Sequence, residues 1–227
     1  MKIYVGIIEK NCFSYLSKLK PDEVNFWQIE GKMRFKALEP SGLFLFKLRS
    51  HLDYIVGGGF FVKQYFLPFD LAWDIFKNEN GYEKYDDFIG AVCKTQKVDK
   101  INNVNLSLGC IVLSLPFFFP KKLWIPVPED WKFSAKGKVY DTEEPEGEKL
   151  YENLKESFKQ SKYYSKDCEN KSIQYIMGEK GTFLKRAIIK SKLGKGAFKL
   201  MVIDAYSRKC AITGENMIYA DDAVYIK

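Results

Sequence analysis

The stretch YIVGGGFFVKQYFL, residues 54–67, limits the possible folds of this chain more than any other segment. Two runs of β-branched and aromatic residues, which favour extended backbone, are joined by Gly57, Gly58 and Gly59. Because glycine carries no side chain, three in a row permit a bulge or the close approach of another backbone. The pattern predicts a long strand interrupted by a bulge, and therefore a protein built around a β-sheet.

Further strands are predicted in the first half of the chain by β-branched, aromatic and alternating apolar residues. The segments are KIYVGII (2–8), GLFLFKL (42–48) and LGCIVLSLPFFF (108–119). Strands should therefore dominate this half.

Helical spacing of apolar residues predicts two short helices between these strands, over 10–19 and 67–81. In the second, Asp70 is the expected cap, and the Asn-Gly pair ending at Gly81 is the expected stop. The prolines of 116–128 exclude regular helix or central strand and predict an extended, packed loop.

After residue 145 the composition changes from aromatic to lysine-rich, which predicts a domain boundary there. The segment 146–161 has the spacing of an exposed amphipathic helix, with Leu150, Leu154 and Phe158 on one side. A second helix is predicted over 196–207, followed by a turn at Thr213 and Gly214. The expected fold class is α+β.

The net charge of +7 lies entirely in the last third of the chain. Residues 1–148 hold 20 basic and 20 acidic residues, whereas residues 149–227 hold 16 basic and 9 acidic ones. The basic segment is the natural surface for phosphate groups, although a solvated lysine-rich face would have the same composition.

Two classes of protein are not expected from the sequence. The first residues lack the long apolar region of a signal peptide, and the chain has no run of about 18 apolar residues, so a cytoplasmic protein is expected. Five cysteines without a CxxC pair, and in odd number, favour reduced thiols over a disulfide framework.

The segment KLGKGAFKLMVIDAYSRKCAITGE, residues 192–215, resembles the beginning of the HNH endonuclease domain of bacterial restriction-like proteins. In that pattern a Gly-x-Gly-x-Phe stretch leads into a helix ending in Ala-Tyr, and Arg-x-Cys-Ala-x-Thr-Gly follows. The resemblance covers about 33 residues, 195–227.

The first 145 residues resemble the companion domain of such nucleases, a PUA-like module close to the EVE type. The segments that carry this resemblance are VNFWQ, FLFKL, YIVGGGFF, LAWDIF, GCIVLSLPFFFP, WIPVPEDW and GKVYDTEE. The resemblance implies a PUA-like β-barrel with flanking helices over 1–145, a basic helical linker over 146–194, and an incomplete ββα-metal segment over 195–227. Proteins of this architecture are modification-dependent restriction endonucleases, which bind duplex DNA carrying a modified base and cut it.

A modified base can be held by extruding it from the duplex and stacking it between apolar side chains. Stacking contributes about 1 to 3 kcal/mol per base, which offsets much of the unstacking cost. Trp27, between the polar Asn25 and Gln28, is the favoured pocket residue, although each aromatic side chain is also typical of a barrel core. The candidate base-binding residues are Phe26, Trp27, Gly57, Gly58, Gly59, Phe60, Phe61 and Trp73.

Basic residues near this pocket and in the C-terminal segment are candidates for contacts to the nucleic-acid backbone, which add salt-sensitive affinity. Those near the pocket are Lys32, Arg34, Lys36 and Arg49, and those of the C-terminal segment are Lys185, Arg186, Lys190, Lys192, Lys195, Lys199, Arg208 and Lys209. His51, the only histidine, is expected to have a surface or hinge role.

No catalytic residue of the HNH pattern is found in this chain. The pattern implies a histidine that activates water and a divalent cation such as Mg²⁺. Tyr225 occupies the expected histidine position, and a phenol with a pKa near 10 accepts protons poorly at neutral pH. The later asparagine and histidine would follow Lys227, so no metal site is expected, although Asp221 and Asp222 could attract a cation weakly.

Several functions remain open at this point. Three explanations fit the incomplete HNH pattern: the gene has been truncated and degraded, another polypeptide supplies the rest of the nuclease, or the chain is retained as a binding protein. The main hypothesis is a reader of modified DNA, for which a homodimer would suit cleavage of both strands. The alternatives are a nicking enzyme with another metal site, a non-catalytic RNA-binding PUA-like protein, and a remnant that binds nothing tightly.

Overall fold

The computed structural model describes residues 1–29, 34–49, 52–96, 106–132, 136–161 and 193–207, together with Lys209 and Gly214. The strands are β1 (Lys2–Ile8), β2 (Glu23–Gln28), β3 (Leu43–Leu48), β4 (Tyr54–Pro68), β5 (Ser107–Phe118), β6 (Ile125–Pro126) and β7 (Gly137–Asp141). The helices are α1 (Lys10–Leu19), α2 (Phe69–Phe76), α3 (Tyr85–Gln96), α4 (Pro145–Gln160) and α5 (Lys195–Ala205), with 3₁₀ turns at Lys77–Asn80 and Lys121–Leu123. This combination confirms the predicted α+β class.

The strands form one sheet in the order β2-β5-β4-β3-β1-β7, and β6 pairs with the beginning of β4. β1 and β3 are parallel, and the other pairs are antiparallel. Among the described residues β2 and β7 do not pair, so the predicted barrel is here an open sheet. The sheet curls nevertheless: Tyr4 of β1 is hydrogen-bonded to Gln28 of β2, and the rings of Phe26 and Phe44 lie 4.7 Å apart.

The glycine-rich strand β4 runs unbroken from Tyr54 to Pro68, and its pairing with β5 contains the predicted irregularity. Its register with β5 shifts between Gly58 and Phe60, opposite Leu115 and Pro116. Leu115 has a φ of 48°, so the proline lies at a bulge, where its missing N–H costs no ladder hydrogen bond.

The sheet separates three apolar clusters. The inner cluster fills the concave face with the rings of β2 to β5, and α1 packs against it through Phe13 and Leu16. The outer face is covered in two places. α4 lies over β1, β3 and the first part of β4, while α2, α3 and α5 lie over β5 and the last part of β4.

α4 is not the exposed helix that its charge suggested. Leu150, Leu154 and Phe158 are each at most 1% exposed and belong to the same cluster as the sheet residues. The apolar side of an amphipathic helix needs a partner to be buried, and here that partner is the sheet. The domain boundary near residue 145 stays a prediction. α4 and α5, which follow it, both pack on strands that lie within residues 1–145.

The second predicted helix is confirmed, but its expected cap is wrong. α2 begins at Phe69 after Pro68, whose missing N–H is not needed at this position. Asp70 therefore lies inside the first turn, and its carboxylate accepts a hydrogen bond from the Tyr85 hydroxyl. The stop is confirmed, because Gly81 ends the following 3₁₀ turn with a φ of 90°.

Candidate nucleic-acid interface

Three of the predicted base-binding rings lie in the core of the described structure. Phe26, Phe60 and Phe61 are 9%, 1% and 5% exposed. Phe26 stacks on Phe46 with ring centroids 6.2 Å apart, and Phe61 packs against Phe35 at 5.1 Å. A base needs an open ring face on which to stack, and in this conformation these rings are covered by other side chains.

The glycines of β4 that were predicted to contact a base are also explained by packing inside the protein. A side chain at Gly57 would collide with the carbonyl oxygen of Phe117, and one at Gly58 with that of Phe44. β4 thus approaches both neighbouring strands too closely for a Cβ atom. These glycines are explained by strand packing without a ligand.

Trp27 and Trp73 are the two predicted pocket residues that remain half-exposed. They lie on either side of Phe88, with ring centroids 5.4 and 5.6 Å from its ring. The Trp27 Nε1 donates to the carbonyl oxygen of Asn80 at 3.1 Å. The structure therefore brings these tryptophans together on the outer face, among α2 and α3.

The surroundings of Trp27 and Trp73 are acidic. Residues 70–87 hold six acidic residues against Lys77 and Lys84, and most of these charges are exposed. Like charges repel at short range, so phosphate groups are disfavoured at this surface. We call it the acidic face. The predicted pocket at Trp27 stays a prediction, but its electrostatic setting does not favour a nucleic acid.

Of the predicted phosphate contacts, the described ones are spread over the molecule. Arg34 and Lys195 are exposed at separate places, and so are Lys36 and Lys209. Arg49, just after β3, forms an exposed ion pair with Glu9 at 2.5 Å. Lys199 is half-buried on α5. The other candidates, Lys32, Lys185, Arg186, Lys190, Lys192 and Arg208, lie outside the described residues, as do His51, Asp221, Asp222 and Tyr225.

A second surface combines positive charge with aromatic rings at one end of the sheet. The parallel strands β1 and β3 end there as register partners, Ile8 with Leu48. β4 begins beside them, β6 pairs with that beginning, and β7 starts opposite Gly6 of β1. Strands distant in sequence thus meet at this end.

Lysines dominate this end of the sheet. The segment 121–138 carries five lysines against Glu129 and Asp130, and four of the lysines are exposed. Lys138 is bound to the Asp130 carboxylate and lies 4.8 Å from the Tyr140 ring centroid. We call this surface the basic end; its cations are Arg49, Lys121, Lys122, Lys132, Lys136 and Lys138.

Three aromatic side chains accompany these cations. Tyr54 is 41% exposed, and its ring centroid lies 6.1 Å from that of the half-exposed Trp124. The Trp124 Nε1 donates to the carbonyl oxygen of Phe119 at 3.0 Å, which fixes this ring. Trp131, also half-exposed, lies beside the ammonium group of Lys47, 5.5 Å from its ring centroid.

Sequence reasoning missed this site. Trp124 and Trp131 are the first and last residues of WIPVPEDW, a segment from which only a packed loop and the resemblance to PUA-like modules were predicted. The interleaving of lysine, proline and tryptophan over 121–132 is the local signal that could have identified it. The contribution of Tyr54 and Lys47 requires the strand register, which no local pattern contains.

The basic end also contains a buried lysine. The Lys47 side chain is 3% exposed, and its Nζ donates to Asp53 Oδ1 at 2.8 Å and to the Leu48 carbonyl oxygen at 2.9 Å. A buried ammonium is stable only when it is paired and hydrogen-bonded. Asp53, whose side chain is 59% exposed, supplies the counter-charge at the surface.

A buried carboxylate docks the C-terminal helix on the sheet. Glu23 of β2 is 1% exposed and accepts hydrogen bonds from the backbone N–H groups of Gly196 and Ala197, at 2.6 and 3.0 Å. Both groups lie in the first turn of α5, whose N–H groups have no partner within the helix. Burial raises the pKa of Glu23 to about 7, opposed by the two N–H donors.

Two glycines make this docking possible. A Cβ atom at Gly194 would collide with the Glu23 side chain, and one at Gly196 would lie 2.6 Å from the Phe76 ring and 2.8 Å from Glu23 Oε1. The Gly-Lys-Gly segment that carried the HNH resemblance therefore has a packing role in this chain.

In the described parts of the chain, no three histidine, cysteine, aspartate or glutamate side chains are grouped as metal ligands would be. Within the same residues, no helix is long and apolar enough to cross a bilayer.

Comparisons with known proteins add one structural likeness. No protein-family model and no curated protein matches the chain. The fold is similar to the crystal structure of ASCH from Zymomonas mobilis, with a TM-score of 0.44 and 8% sequence identity, over 66% of this chain and 94% of that one.

Proposed function

We propose that this protein binds single-stranded RNA at the basic end, without cleaving it. The observation that carries the proposal is the combination, on one surface, of Tyr54, Trp124 and Trp131 with a clear excess of lysine. Proteins that hold single strands use aromatic rings as stacking platforms and cations along the backbone. Unpaired bases, unlike those in a duplex, are available for such stacking.

The rings and the lysines of the basic end would contact different parts of the RNA. Tyr54 and Trp124 are neighbours and offer stacking surface at the beginning of β4, while Trp131 offers a further ring beside Lys47. Lys121 and Lys122 are exposed next to Trp124 and would contact the phosphates between stacked bases. Affinity of this kind is sensitive to salt and tolerant of sequence.

The reading of a modified base in duplex DNA is less well supported. It needs an aromatic pocket for an extruded base, whereas Phe26, Phe60 and Phe61 are covered and Trp27 lies on the acidic face. The HNH resemblance falls largely outside the described residues, and Tyr225 occupies the position expected for the catalytic histidine. Gel shifts with methylated, hydroxymethylated and plain duplexes, beside a single-stranded RNA of the same sequence, rank these hypotheses.

A charge-reversal experiment tests the binding surface. We expect Lys121→Glu/Lys122→Glu to weaken binding of a labelled 12-nucleotide RNA roughly tenfold, because two phosphate contacts are replaced by repulsion. The slope of log K against log salt should fall by about 1.4, the value for two contacts on a single strand. Fluorescence anisotropy between 50 and 200 mM salt measures both quantities.

The matched control is Lys84→Glu/Lys94→Glu, which changes the net charge equally at exposed positions of α3 and the loop before it. We expect this variant to bind within about twofold of the wild type, apart from a small general effect of net charge. Equal weakening by both double variants would refute a localised site. Competition by duplex DNA as strong as that by RNA would reject the preference for single strands.

A further inference from the structure

Asp53 is a carboxylate of the basic end whose position is fixed through both its side chain and its backbone. The side chain of Asp53 is held by Lys47 through Oδ1, and its backbone carbonyl oxygen accepts a hydrogen bond from the N–H of Val127 at 3.0 Å. Lys47 itself is immobilised by burial and by its bond to Leu48. Asp53 is therefore a fixed hydrogen-bond acceptor beside the cations and rings of the basic end.

The strand irregularity next to Lys47 contributes to this placement. β3 pairs Phe46 with Gly57 but Lys47 with Ile55, so one residue of β4 is bulged between them. Bulges redirect side chains at the ends of strands. Here the bulge lies between the buried ammonium and the glycine-rich part of β4, and Asp53 lies just before the strand.

The two oxygens of this carboxylate are not equally occupied. Among the described residues, the side-chain hydrogen bond to Asp53 is that from Lys47, and it ends on Oδ1. Asp130 at the same end differs, because Lys138 contacts its Oδ2 and the Tyr140 hydroxyl donates to its Oδ1 at 3.1 Å. Among the described residues, Asp53 thus keeps Oδ2 without a side-chain partner, whereas both oxygens of Asp130 already accept a hydrogen bond.

We propose that Asp53 reads the Watson–Crick edge of one base of the bound RNA and makes the site selective for guanine. This inference rests on the proposed function and names its preferred base. A carboxylate only accepts hydrogen bonds, and guanine presents two adjacent donors on that edge, N1–H and the 2-amino group. The two donors match the two carboxylate oxygens: among the described residues Oδ2 accepts no side-chain hydrogen bond, and Oδ1 keeps a second lone pair beside its bond from Lys47.

Other bases match the carboxylate less well. Cytosine and adenine each offer one amino group beside an acceptor nitrogen. Uracil offers N3–H between two carbonyl oxygens, which the carboxylate repels. The order of preference is therefore guanine first and uracil last, and the neighbouring rings supply stacking that does not discriminate among bases.

The test uses the full chain and ten-nucleotide oligouridylates with one central substitution. The wild type is expected to bind the guanosine oligomer roughly tenfold more tightly than decauridylate, the range of one good bidentate pair. A 7-deazaguanosine oligomer, which keeps the Watson–Crick edge, should equal guanosine, and an inosine oligomer, which lacks the 2-amino group, should be weaker. These comparisons need no variant, so they do not depend on folding.

Variants of Asp53 and Asp130 then test whether Asp53 causes the preference for guanine. Asp53→Asn is expected to bring guanosine and uridine oligomers within about twofold, whereas Asp130→Asn should keep the tenfold difference. If Asp53 serves only as the counter-ion to Lys47, Asp53→Asn will rank the oligomers as the wild type does. That result overturns the inference. Equal binding of all oligomers by the wild type also overturns it while leaving RNA binding intact. Absence of binding to any oligomer defeats the proposed function itself.

Discussion

Replacing Gly57 with alanine is expected to lower the free energy of unfolding by about 3 kcal/mol or more. The added methyl group would meet the carbonyl oxygen of Phe117 and lie 3.1 Å from the Cα atom of Phe118, both parts of a neighbouring strand. Backbone cannot rotate away as a side chain can, so β4 and β5 would have to separate. For a chain of this length the melting temperature should fall by roughly 6 to 12 °C.

Gly90 provides the matched control. It lies within α3, and an added Cβ atom there would have no neighbour within 4 Å. Alanine is favoured over glycine inside a helix, so Gly90→Ala should stabilise the protein by up to about 1 kcal/mol. Thermal and urea unfolding of both variants measure the difference. An unchanged melting temperature for Gly57→Ala would contradict the described packing of β4 on β5.

The stability of the protein is expected to fall as the pH rises through about 7, because Glu23 carries a raised pKa in the folded state. Below the ordinary glutamate pKa, near 4.5, Glu23 is protonated in both states. Between 4.5 and 7 the unfolded chain releases the proton while the folded chain keeps it, so stability is lost progressively. Above 7 the loss is complete, on the order of 3 kcal/mol for this shift.

Glu23→Gln removes this dependence. The amide oxygen still accepts one N–H of α5, as the protonated acid does, so the variant should resemble the wild type near pH 5 and be more stable near pH 8. Urea unfolding at both pH values measures the difference between the two proteins. Glu148→Gln, an exposed change on α4, should stay within about 0.5 kcal/mol of the wild type throughout.

The local readout of this prediction is amide exchange in α5. Opening of the docked helix should expose the N–H groups of Gly196 and Ala197, which Glu23 protects. Exchange at these two amides is expected to accelerate from pH 5 to pH 8 in the wild type beyond the intrinsic increase. If Glu23→Gln showed the same acceleration, the carboxylate would not control the docking of α5.

Local patterns in the sequence predicted the elements that local physics determines. The strand character of GLFLFKL and of the glycine-rich β4 followed from side-chain alternation and composition, and α5 lies within two residues of the helix predicted over 196–207. An irregularity in the pairing of β4 was also predictable, because three glycines weaken a regular ladder. These features depend on neighbours a few residues apart.

Features that depend on distant contacts were not predictable. The apolar side of α4 gave no indication that the sheet would cover it. The glycines of β4 suggested a ligand cradle, whereas the neighbouring strands fill the space. The pocket role predicted for Trp27 and Trp73 depends on residue type and, for Trp27, on polar neighbours in the sequence, whereas their acidic surroundings depend on the packing of α2 and α3.

The candidate site shows the same limit. Lys47, Asp53, Trp124 and Lys138 come from segments up to 91 residues apart in the sequence. They meet because β1 pairs in parallel with β3 and antiparallel with β7. Hydrophobic periodicity determines which face a side chain occupies but not which strands become neighbours. The aromatic and basic composition of 121–132 was visible, but its partners were not.

Photo-crosslinking tests the central claim most directly. A single-stranded RNA carrying 4-thiouridine is irradiated with the intact protein, and the modified peptides are identified by mass spectrometry. Binding at the basic end predicts crosslinks in peptides containing Tyr54, Trp124 or Trp131, which disappear in 1 M salt. Crosslinks confined to the peptides of Trp27 and Trp73 on the acidic face would contradict it.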